Sequence, residues 1–441
     1  MSGKSPTNSG VGAGRRQEPH PPSSTQTSSA ATSFTNGSGS EILSEIEPEG
    51  LSGHALSRYY AKFAAAPGQD PFSERRIIRA RLLHTLRQVS TVDRCKSCGW
   101  TPLGLAVVLK VGTTGDRKTA GFGGLERCGR IWLCPECAAK IRLRRGEEVA
   151  EGISRHLDND GGALFWTVAI PHEQGDALKA VFTTLTELIR LVASGRPFQR
   201  DKKALGILGN IKAIEVTHGR NGWHPHAHIL VVTERVLTWE QWTTFARNLD
   251  YRVAAALKKL GWNTGRAGIR STVIPVDKGE GLAAYITKVQ EKGLGNELAR
   301  ADLKSGRRGG RTPFEILADF SETGLVDDLE LWWEYEKATA GRSAIRWSKG
   351  LRALLLPDTA EQSDDEIAAE EQGGEAAAYI TMPAWRRIRR DPEVRLACEF
   401  AAAEEGWEGL LRVLIRYRIS AQGIYTPEEW AVPDEVELEP G

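Results

Sequence analysis

The 441-residue sequence lacks any long hydrophobic run. No apolar stretch approaches the roughly 20 residues that a membrane-spanning helix needs, so helical integral membrane proteins are excluded. The N-terminal stretch MSGKSPTNSGVGAGRR also lacks the apolar core of a secretory signal peptide. We therefore expect a cytoplasmic protein that has no membrane partner.

An excess of charge of one sign is also missing, because the net charge is only +1. The balanced total conceals two segments of opposite net charge. Basic residues outnumber acidic ones more than twofold from Glu74 to Glu148, and the reverse holds from Pro357 to Gly441. A basic surface suits a polyanion such as nucleic acid. We expect the acidic C-terminal run to be a solvated surface.

Composition divides the chain into six segments. Residues 1–45 contain few large apolar side chains and are expected to form a disordered tail. The other predicted segments are a basic, cysteine-bearing module (51–158), a domain of strands and helices (160–300), a basic loop with a helical extension (301–356), an acidic linker (357–378) and a small helical C-terminal segment (379–441). No internal repeat is evident.

The pattern of the central domain predicts an α+β fold. The strand-like runs are ALFWTVAIPH, IKAIEVTHG, HPHAHILVVT and STVIPV. A helix is expected after the first run, and a second between Thr238 as N-cap and Gly261 as stop. The order β-α-β-β-α-β is that of the split βαβ fold, with one antiparallel sheet and flanking helices.

Three histidines alternate along one predicted strand, at His224, His226 and His228. Alternate side chains of a strand share one face, so all three imidazoles are expected on the same side of the sheet. Two imidazoles at this spacing can bind one divalent metal ion. We expect His226 and His228 as ligands, with His224 as a possible third.

The preceding strand supplies a carboxylate to the same face. A hairpin closed through Gly219–Gly222 places Glu215 opposite His226, and a hairpin with only Asn221 and Gly222 as its turn places it opposite His228. Either register keeps Glu215 within cross-strand reach, whereas an odd-length loop would turn it away. Because a carboxylate oxygen is a hard ligand, this set favours Mg²⁺ or Mn²⁺ over a closed structural zinc site.

Tyr285 and Lys288 lie three residues apart in GLAAYITKVQ, within the predicted helix KGEGLAAYITKVQEKG, and so share a helix face. A tyrosine hydroxyl near a metal-bound phosphate is a competent covalent nucleophile, and a nearby ammonium stabilises developing negative charge. A core position for the tyrosine is the alternative.

Together these motifs resemble the HUH endonuclease superfamily, and most closely the rolling-circle replication initiators (Rep) of plasmids, particularly actinobacterial ones. FWTVAIPH is similar to the first motif of that family, and His226-Ala227-His228 to its HUH motif, although the middle residue is small. Tyr285 matches the nicking tyrosine and Lys288 the lysine that follows it. LWWEYEKATAGRSAIRWSKGLR also resembles a recurring segment, and the similarity covers roughly residues 90–355.

The resemblance implies an HUH-type (ferredoxin- or RRM-like) sheet over 160–300 and a metal-dependent nickase. Such an enzyme nicks one strand of the double-stranded plasmid origin, keeps a 5′-phosphotyrosine link and leaves a free 3′ hydroxyl as primer. Host helicase and DNA polymerase are the implied partners. Some relatives carry a glutamate four residues before the tyrosine; that position is Gly281 here, and Glu280 is one residue earlier. Glu280 is therefore only a tentative catalytic residue.

Five of the six cysteines fall between residues 95 and 137. Two CxxC pairs, Cys95 with Cys98 and Cys134 with Cys137, predict a structural zinc site in a cytosolic chain. Cys128 is the alternative ligand, and buried inert thiols are the alternative to a metal site. RCGRIWLCPEC also resembles a cysteine segment upstream of the nuclease domain in the initiators. Cys398 stands apart and is expected to be a buried apolar residue.

Candidate contacts to the DNA backbone are Arg142, Arg144 and Arg145 after the second cysteine pair, and Arg307, Arg308 and Arg311 in a glycine-rich loop. Trp223 can stack on an unpaired base or pack at a hairpin end. Within the superfamily, a relaxase or a transposase would use equivalent chemistry. A non-catalytic, zinc-dependent DNA-binding regulator is the alternative from another class.

Overall fold

The computed structural model describes residues 71–262, 270–276, 310–371 and 373–430, all of which belong to one compact unit. Their helices are α1 (Pro71–Val89), α2 (Asp93–Ser97), α3 (Pro135–Asp158), α4 (Leu178–Val192), α5 (Gly195–Leu205), α6 (Trp239–Lys259), α7 (Pro313–Thr323), α8 (Val326–Thr339), α9 (Leu351–Leu355), α10 (Asp364–Ala369), α11 (Met382–Ile388) and α12 (Pro392–Arg416). None of these helices is long and apolar enough to cross a membrane.

Nine strands form two sheets in the described part of the chain. They are β1 (Ala106–Thr114), β2 (Arg117–Gly123), β3 (Gly162–Ala169), β4 (Ile207–Gly219), β5 (Gly222–Thr233), β6 (Arg270–Pro275), β7 (Ile345–Trp347), β8 (Glu375–Thr381) and β9 (Ile424–Tyr425). The predicted tail over 1–45 and the predicted helix over 278–293 lie outside the described residues.

The larger sheet has the strand order β6-β3-β5-β4-β7, and every neighbouring pair is antiparallel. Its first four strands follow the chain order β-α-β-β-α-β, which confirms the predicted α+β class with an antiparallel sheet. Helix α6 begins at the predicted cap, where the Thr238 hydroxyl accepts a hydrogen bond from the Gln241 amide. It ends before Gly261, whose φ of +65° suits a glycine.

The β4–β5 hairpin has the first of the two predicted registers. Gly219 pairs with Gly222, so that Arg220 and Asn221 form the loop. Gly222 has a φ of +81°, a conformation that glycine adopts without steric cost. The register therefore sets Glu215 directly opposite His226.

The two faces of this sheet are covered differently. Helices α4 and α6 cover one face, where Trp166 and Val168 of β3 and Ile229 of β5 join the main core. On the other face, α3 and α9 bury Phe165 and Leu230 near one end of the strands. Further along that second face lie the histidines of β5, which are only partly buried.

The smaller sheet has the order β2-β1-β8-β9 and joins parts of the chain that are far apart in sequence. Val107 of β1 pairs with Ile380 of β8, and both are fully buried with Trp385 of α11 and Leu410 of α12. The segment predicted as a small helical C-terminal unit thus contributes strands as well as helices. It shares one core with the segment predicted as the basic module.

The acidic C-terminal segment forms ion pairs with the basic N-terminal module. Among the described residues, seven such pairs join residues 76–145 to residues 364–404: Arg76–Glu399, Arg81–Glu393, Arg94–Asp365, Lys110–Glu371, Lys118–Glu404, Arg144–Glu370 and Arg145–Asp364. Most of these carboxylates stay exposed to solvent, as expected for the acidic segment, and they also lie beside the basic side chains of the N-terminal module.

Candidate functional site

Glu215 of β4 and two histidines of β5 form a compact group that can hold a metal ion. Glu215, His226 and His228 each offer one ligand atom, and these atoms lie within 4.8 Å of one another. The Nε2 atom of His226 is 3.0 Å from Oε2 of Glu215, and Nε2 of His228 is 3.8 Å from the same oxygen. Adjacent ligands of one octahedral Mg²⁺ ion are about 3.0 Å apart and opposite ligands about 4.2 Å, so little adjustment is needed for shared binding.

The charge state of Glu215 suits a metal ligand. Burial raises the pKa of its carboxyl, but the hydrogen bonds and charges of His226 and His228 outweigh that effect and hold the pKa well below its usual range. The carboxylate is therefore ionised at neutral pH. Its side chain keeps 17% of its surface exposed, which leaves room for further ligands from solvent or substrate.

Thr167 of β3 fixes the orientation of His228. The Thr167 hydroxyl lies 3.1 Å from Nδ1 of His228, and the ring of Phe165 stacks on the same imidazole at 5.3 Å. A partner on Nδ1 leaves Nε2 directed towards Glu215, as in many sites where a second residue orients a metal-binding imidazole. Sequence reasoning missed Thr167. Its position two residues after Phe165 in FWTVAIPH is the signal that could have indicated it.

His224 continues the row of imidazoles but lies outside the three-residue group. Its ring is 5.4 Å from that of His226 and 4.9 Å from that of His172, which follows β3. The sequence did not single out His172 as a site residue. The structure brings it to the edge of the site because β3 and β5 are neighbours.

Four cysteines form a second group that can hold a metal ion: Cys98, Cys128, Cys134 and Cys137, all buried. The Sγ atom of Cys98 is 3.6 Å from those of Cys134 and Cys137, and Cys128 is 3.7 Å from Cys137. Sulfurs at 2.3 Å from one tetrahedral zinc ion are about 3.8 Å apart, which agrees with this spacing. A disulfide would need about 2.05 Å.

The surroundings of the four sulfurs shift their pKa values in opposite directions. Cys134 caps the N-terminus of α3, where its sulfur accepts a hydrogen bond from the Cys137 amide and Pro135 occupies the first turn. Hydrogen bonds from neighbouring cysteines lower the pKa of Cys98 and Cys137, whereas such hydrogen bonds raise the pKa of Cys128 and burial raises that of Cys134. The thiolate is the form that binds zinc.

The structure places Cys128, the alternative ligand of the sequence analysis, in this group and leaves Cys95 outside it. Cys95 is also buried, in α2, and its thiol interacts with that of Cys128. The CxxC spacing suggested Cys95. The loop after β2 instead brings Cys128 to the other three sulfurs, a consequence of tertiary structure that spacing alone does not contain.

Several predicted site residues lie outside the described residues. These are the catalytic candidates Tyr285, Lys288 and Glu280, together with Arg307 and Arg308. The strand that leads towards them is described, since β6 pairs with β3 and sets Thr272 opposite Thr167.

The arginines proposed as DNA contacts make contacts within the chain. Arg145 pairs with Glu148 at 3.1 Å and with Asp364 at 2.9 Å, and the guanidinium of Arg142 lies 5.5 Å from the Trp132 ring. Arg144 remains more exposed, 3.8 Å from Glu370.

Two further DNA-contact candidates have structural roles. Arg311 bridges Asp319 and Asp328, at 2.7 and 2.6 Å. Trp223 is 2% exposed and donates a hydrogen bond to Glu334 at 2.6 Å. Of the two predicted roles for Trp223, the structure therefore shows packing at the hairpin end, because the side chain is too buried to stack on a base.

Comparisons with known proteins give three similar sequences. A protein named Protein rep from Streptomyces lividans is 32% identical over 355 residues, which cover 65% of this chain and 76% of that relative. A neomycin resistance protein from Streptomyces cyanogenus is 34% identical over 134 residues, 25% of this chain and 31% of that protein. A Protein rep from Streptococcus pneumoniae serotype 2 is 26% identical over 106 residues, 23% of this chain and 32% of that protein.

No protein-family model matches the chain, and no solved structure matches it.

Proposed function

This chain belongs to the family of plasmid Rep proteins, and from that premise we propose that it is a metal-dependent nickase that starts rolling-circle replication. It cuts one strand of the double-stranded origin and leaves a 3′ hydroxyl as primer for a host polymerase, with a host helicase opening the duplex. The observation that carries the proposal is the convergence of Glu215, His226 and His228 on the partly exposed end of one sheet face.

Glu215, His226 and His228 are the residues that hold the catalytic ion in this proposal. One carboxylate oxygen with two imidazoles leaves several coordination positions for water and phosphate oxygens, as Mg²⁺ and Mn²⁺ require. When bound, such an ion polarises the scissile phosphate. Thr167 keeps His228 in the tautomer that presents Nε2 to the site.

Tyr285 is the proposed nucleophile. Its phenol oxygen forms a bond to phosphorus while the bond from phosphorus to the 3′ oxygen breaks; the phenol loses a proton and the departing 3′ oxygen gains one. Lys288, three residues further along the sequence, stabilises the negative charge that develops on the phosphate. The family resemblance of GLAAYITKVQ supports these roles, and Glu280 remains a candidate for activating water at termination.

Zinc bound by Cys98, Cys128, Cys134 and Cys137 is proposed as a structural ion. All four sulfurs are buried, so no coordination position opens to solvent, which is typical of a structural rather than a catalytic zinc site. The cysteines join the end of α2, the loop after β2 and the start of α3.

The test is a nicking assay on single-stranded oligonucleotides that tile the origin of the plasmid encoding this chain. We expect a covalent protein–DNA band on a denaturing gel that requires Mn²⁺, disappears with chelator and disappears in Tyr285→Phe. Tyr251→Phe is the matched control, because Tyr251 lies on α6 with 78% of its surface exposed; this variant should retain the band.

Two results would contradict the proposal. An adduct that survives Tyr285→Phe would move the nucleophile to another residue. Sequence-specific binding without cleavage on either origin strand would favour the zinc-dependent DNA-binding regulator.

A further inference from the structure

A groove of about 520 Å³ lies along the β4–β7 edge of the larger sheet, on the face that α4 covers. Helix α4 does not extend over β7, so the groove runs between the end of α4 and the edge strand. Basic side chains from three elements line it: Arg190 of α4, Lys212 of β4, Arg346 of β7 and, just beyond β7, Lys349. Sequence analysis did not identify this cluster, because its members are up to 159 residues apart.

Two of these cations face each other across the strand ladder. Lys212 is the register partner of Arg346, and like charges directly opposite each other destabilise a sheet. Among the described residues, no carboxylate lies within ion-pair distance of Lys212, Arg346 or Lys349. The one acidic side chain of the groove, Glu187, is already paired with Arg190 at 2.5 Å.

The groove also contains neutral polar groups near the cations. The amide side chain of Asn210 and the hydroxyl of Ser348 line it, and the Asn210 backbone amide donates to that hydroxyl at 2.9 Å. Cations without counter-ions beside neutral hydrogen-bonding groups, in an open channel at a sheet edge, match the chemistry of a phosphodiester chain. A small enclosed ligand would require a more closed cavity.

We infer that this groove binds the sugar-phosphate backbone of DNA next to the nick, with Lys212 and Arg346 sharing a phosphate between them. This inference rests on the proposed nicking function. Lys212 and Glu215 lie on the same strand, three residues and about 10 Å apart, and their side chains are on opposite faces. A DNA strand held in the groove therefore has to cross the β7 edge to reach the metal-binding group on the other face.

The test is the salt dependence of DNA binding by full-length protein, measured by fluorescence anisotropy between 50 and 300 mM KCl, roughly the range in which counter-ion release dominates. Each lost phosphate contact lowers the slope of log K against log salt by about 0.9 for duplex and about 0.7 for single-stranded DNA. Because the two residues share one phosphate, Lys212→Ala with Arg346→Ala should lower the slope by about 0.9 on duplex, or about 0.7 on single strands. The substrate that shows the change identifies which form of DNA occupies the groove.

A matched control removes the same charge elsewhere in the domain. Arg247 and Lys258 are both exposed on α6, and Arg247→Ala with Lys258→Ala should leave the slope near that of the wild type. The charge-preserving pair Lys212→Arg with Arg346→Lys should also retain it. An unchanged slope in the groove variant, or an equal fall in the control, overturns the inference.

Failure of the inference is distinguishable from failure of the proposed function. Tyr285→Phe should abolish the covalent adduct and keep the full salt slope. The groove variant should show the lowered slope of log K against log salt and should still form the covalent adduct when single-stranded oligonucleotide is saturating.

Discussion

At the scale of single residues, the two candidate metal groups differ in what the sequence could predict about them. The alternation His224, His226, His228 is a local property of a strand, so the histidine face follows directly from the period of two. To predict Glu215 as a ligand, only the register of the hairpin was needed in addition, and the structure has one of the two predicted registers. The cysteine set depends on how distant loops meet, and for that reason Cys128 was predicted only as an alternative.

Zinc content should separate the two cysteine sets. We expect one bound zinc ion per chain in the wild-type protein. The zinc content should fall well below one in Cys128→Ser, because this variant lacks a ligand, and should stay at one in Cys95→Ser. Metal analysis of purified protein measures this. Cys398→Ser is the matched control, because Cys398 is equally buried but far from the group, and burial raises the pKa of its thiol to about 12. Loss of zinc in Cys95→Ser alone would refute the assignment of Cys128.

Glu322 should make the stability of the fold depend on pH. Burial and the nearby charge of Asp319 raise the pKa of Glu322 to about 7, despite the opposing effect of Arg81. In the unfolded chain a glutamate titrates near 4.3. The unfolded state therefore releases its proton first as the pH rises, and the folded state loses stability between about pH 4 and 7.

We expect Glu322→Gln to equal the wild type in free energy of unfolding at pH 4 and to exceed it by about 1–2 kcal/mol at pH 8, a value reduced for partial solvent screening. Urea denaturation at both pH values measures the difference. A variant that is equally stable, or less stable, at pH 8 would contradict the assigned direction.

At the scale of elements, helix α3 connects both candidate metal groups. Its N-terminus carries Cys134 and Cys137, and its C-terminal half packs on the histidine side of the sheet. Between these ends a buried ion pair joins the helix to α9, since the side chains of Arg352 and Glu148 are 8% and 6% exposed and lie 3.0 Å apart. Such a pair is costly to break, because the remaining charge is left buried.

Arg352→Met should reduce the free energy of unfolding by about 2 kcal/mol, because Glu148 loses the hydrogen bond from Arg352 but keeps its ion pair with Arg145. Arg155→Met tests the same helix at its surface. Arg155 and Glu151 are 49% and 47% exposed, and this change should cost less than about 1 kcal/mol. Denaturant titration of both variants gives the comparison, and equal costs would contradict the distinction between buried and exposed pairs.

At the scale of the whole molecule, the C-terminal segment is part of the fold of the N-terminal module. Sequence analysis predicted the four strands β3 to β6 and the helices α4 and α6 of the central domain, because their periodicity and caps are local. It could not predict that Val107 of β1 pairs with Ile380 of β8, a contact that spans more than 270 residues. The ion pairs between the two oppositely charged segments depend on the same long-range arrangement.

Truncation after Leu356 should therefore unfold the module that contains the cysteines. The cut removes β8 and α12, exposes the fully buried Val107 and Leu109 and removes the acidic members of the seven ion pairs between the two segments. We expect aggregation or loss of bound zinc, measured by size-exclusion chromatography with metal analysis. A shorter truncation after Trp430 keeps every described contact and should remain monodisperse. A monodisperse, zinc-loaded 1–356 fragment would contradict this view of the fold.

The central claim is that Glu215, His226 and His228 hold the catalytic ion, and the most direct test is Mn²⁺ binding measured by isothermal titration calorimetry. We predict one Mn²⁺ site per chain in the wild-type protein. The Mn²⁺ affinity should be at least tenfold lower in Glu215→Gln, because the hard anionic ligand is lost. Glu187→Gln, at a surface ion pair, should bind as the wild type does. Equal Mn²⁺ affinity in wild type and Glu215→Gln would contradict the claim.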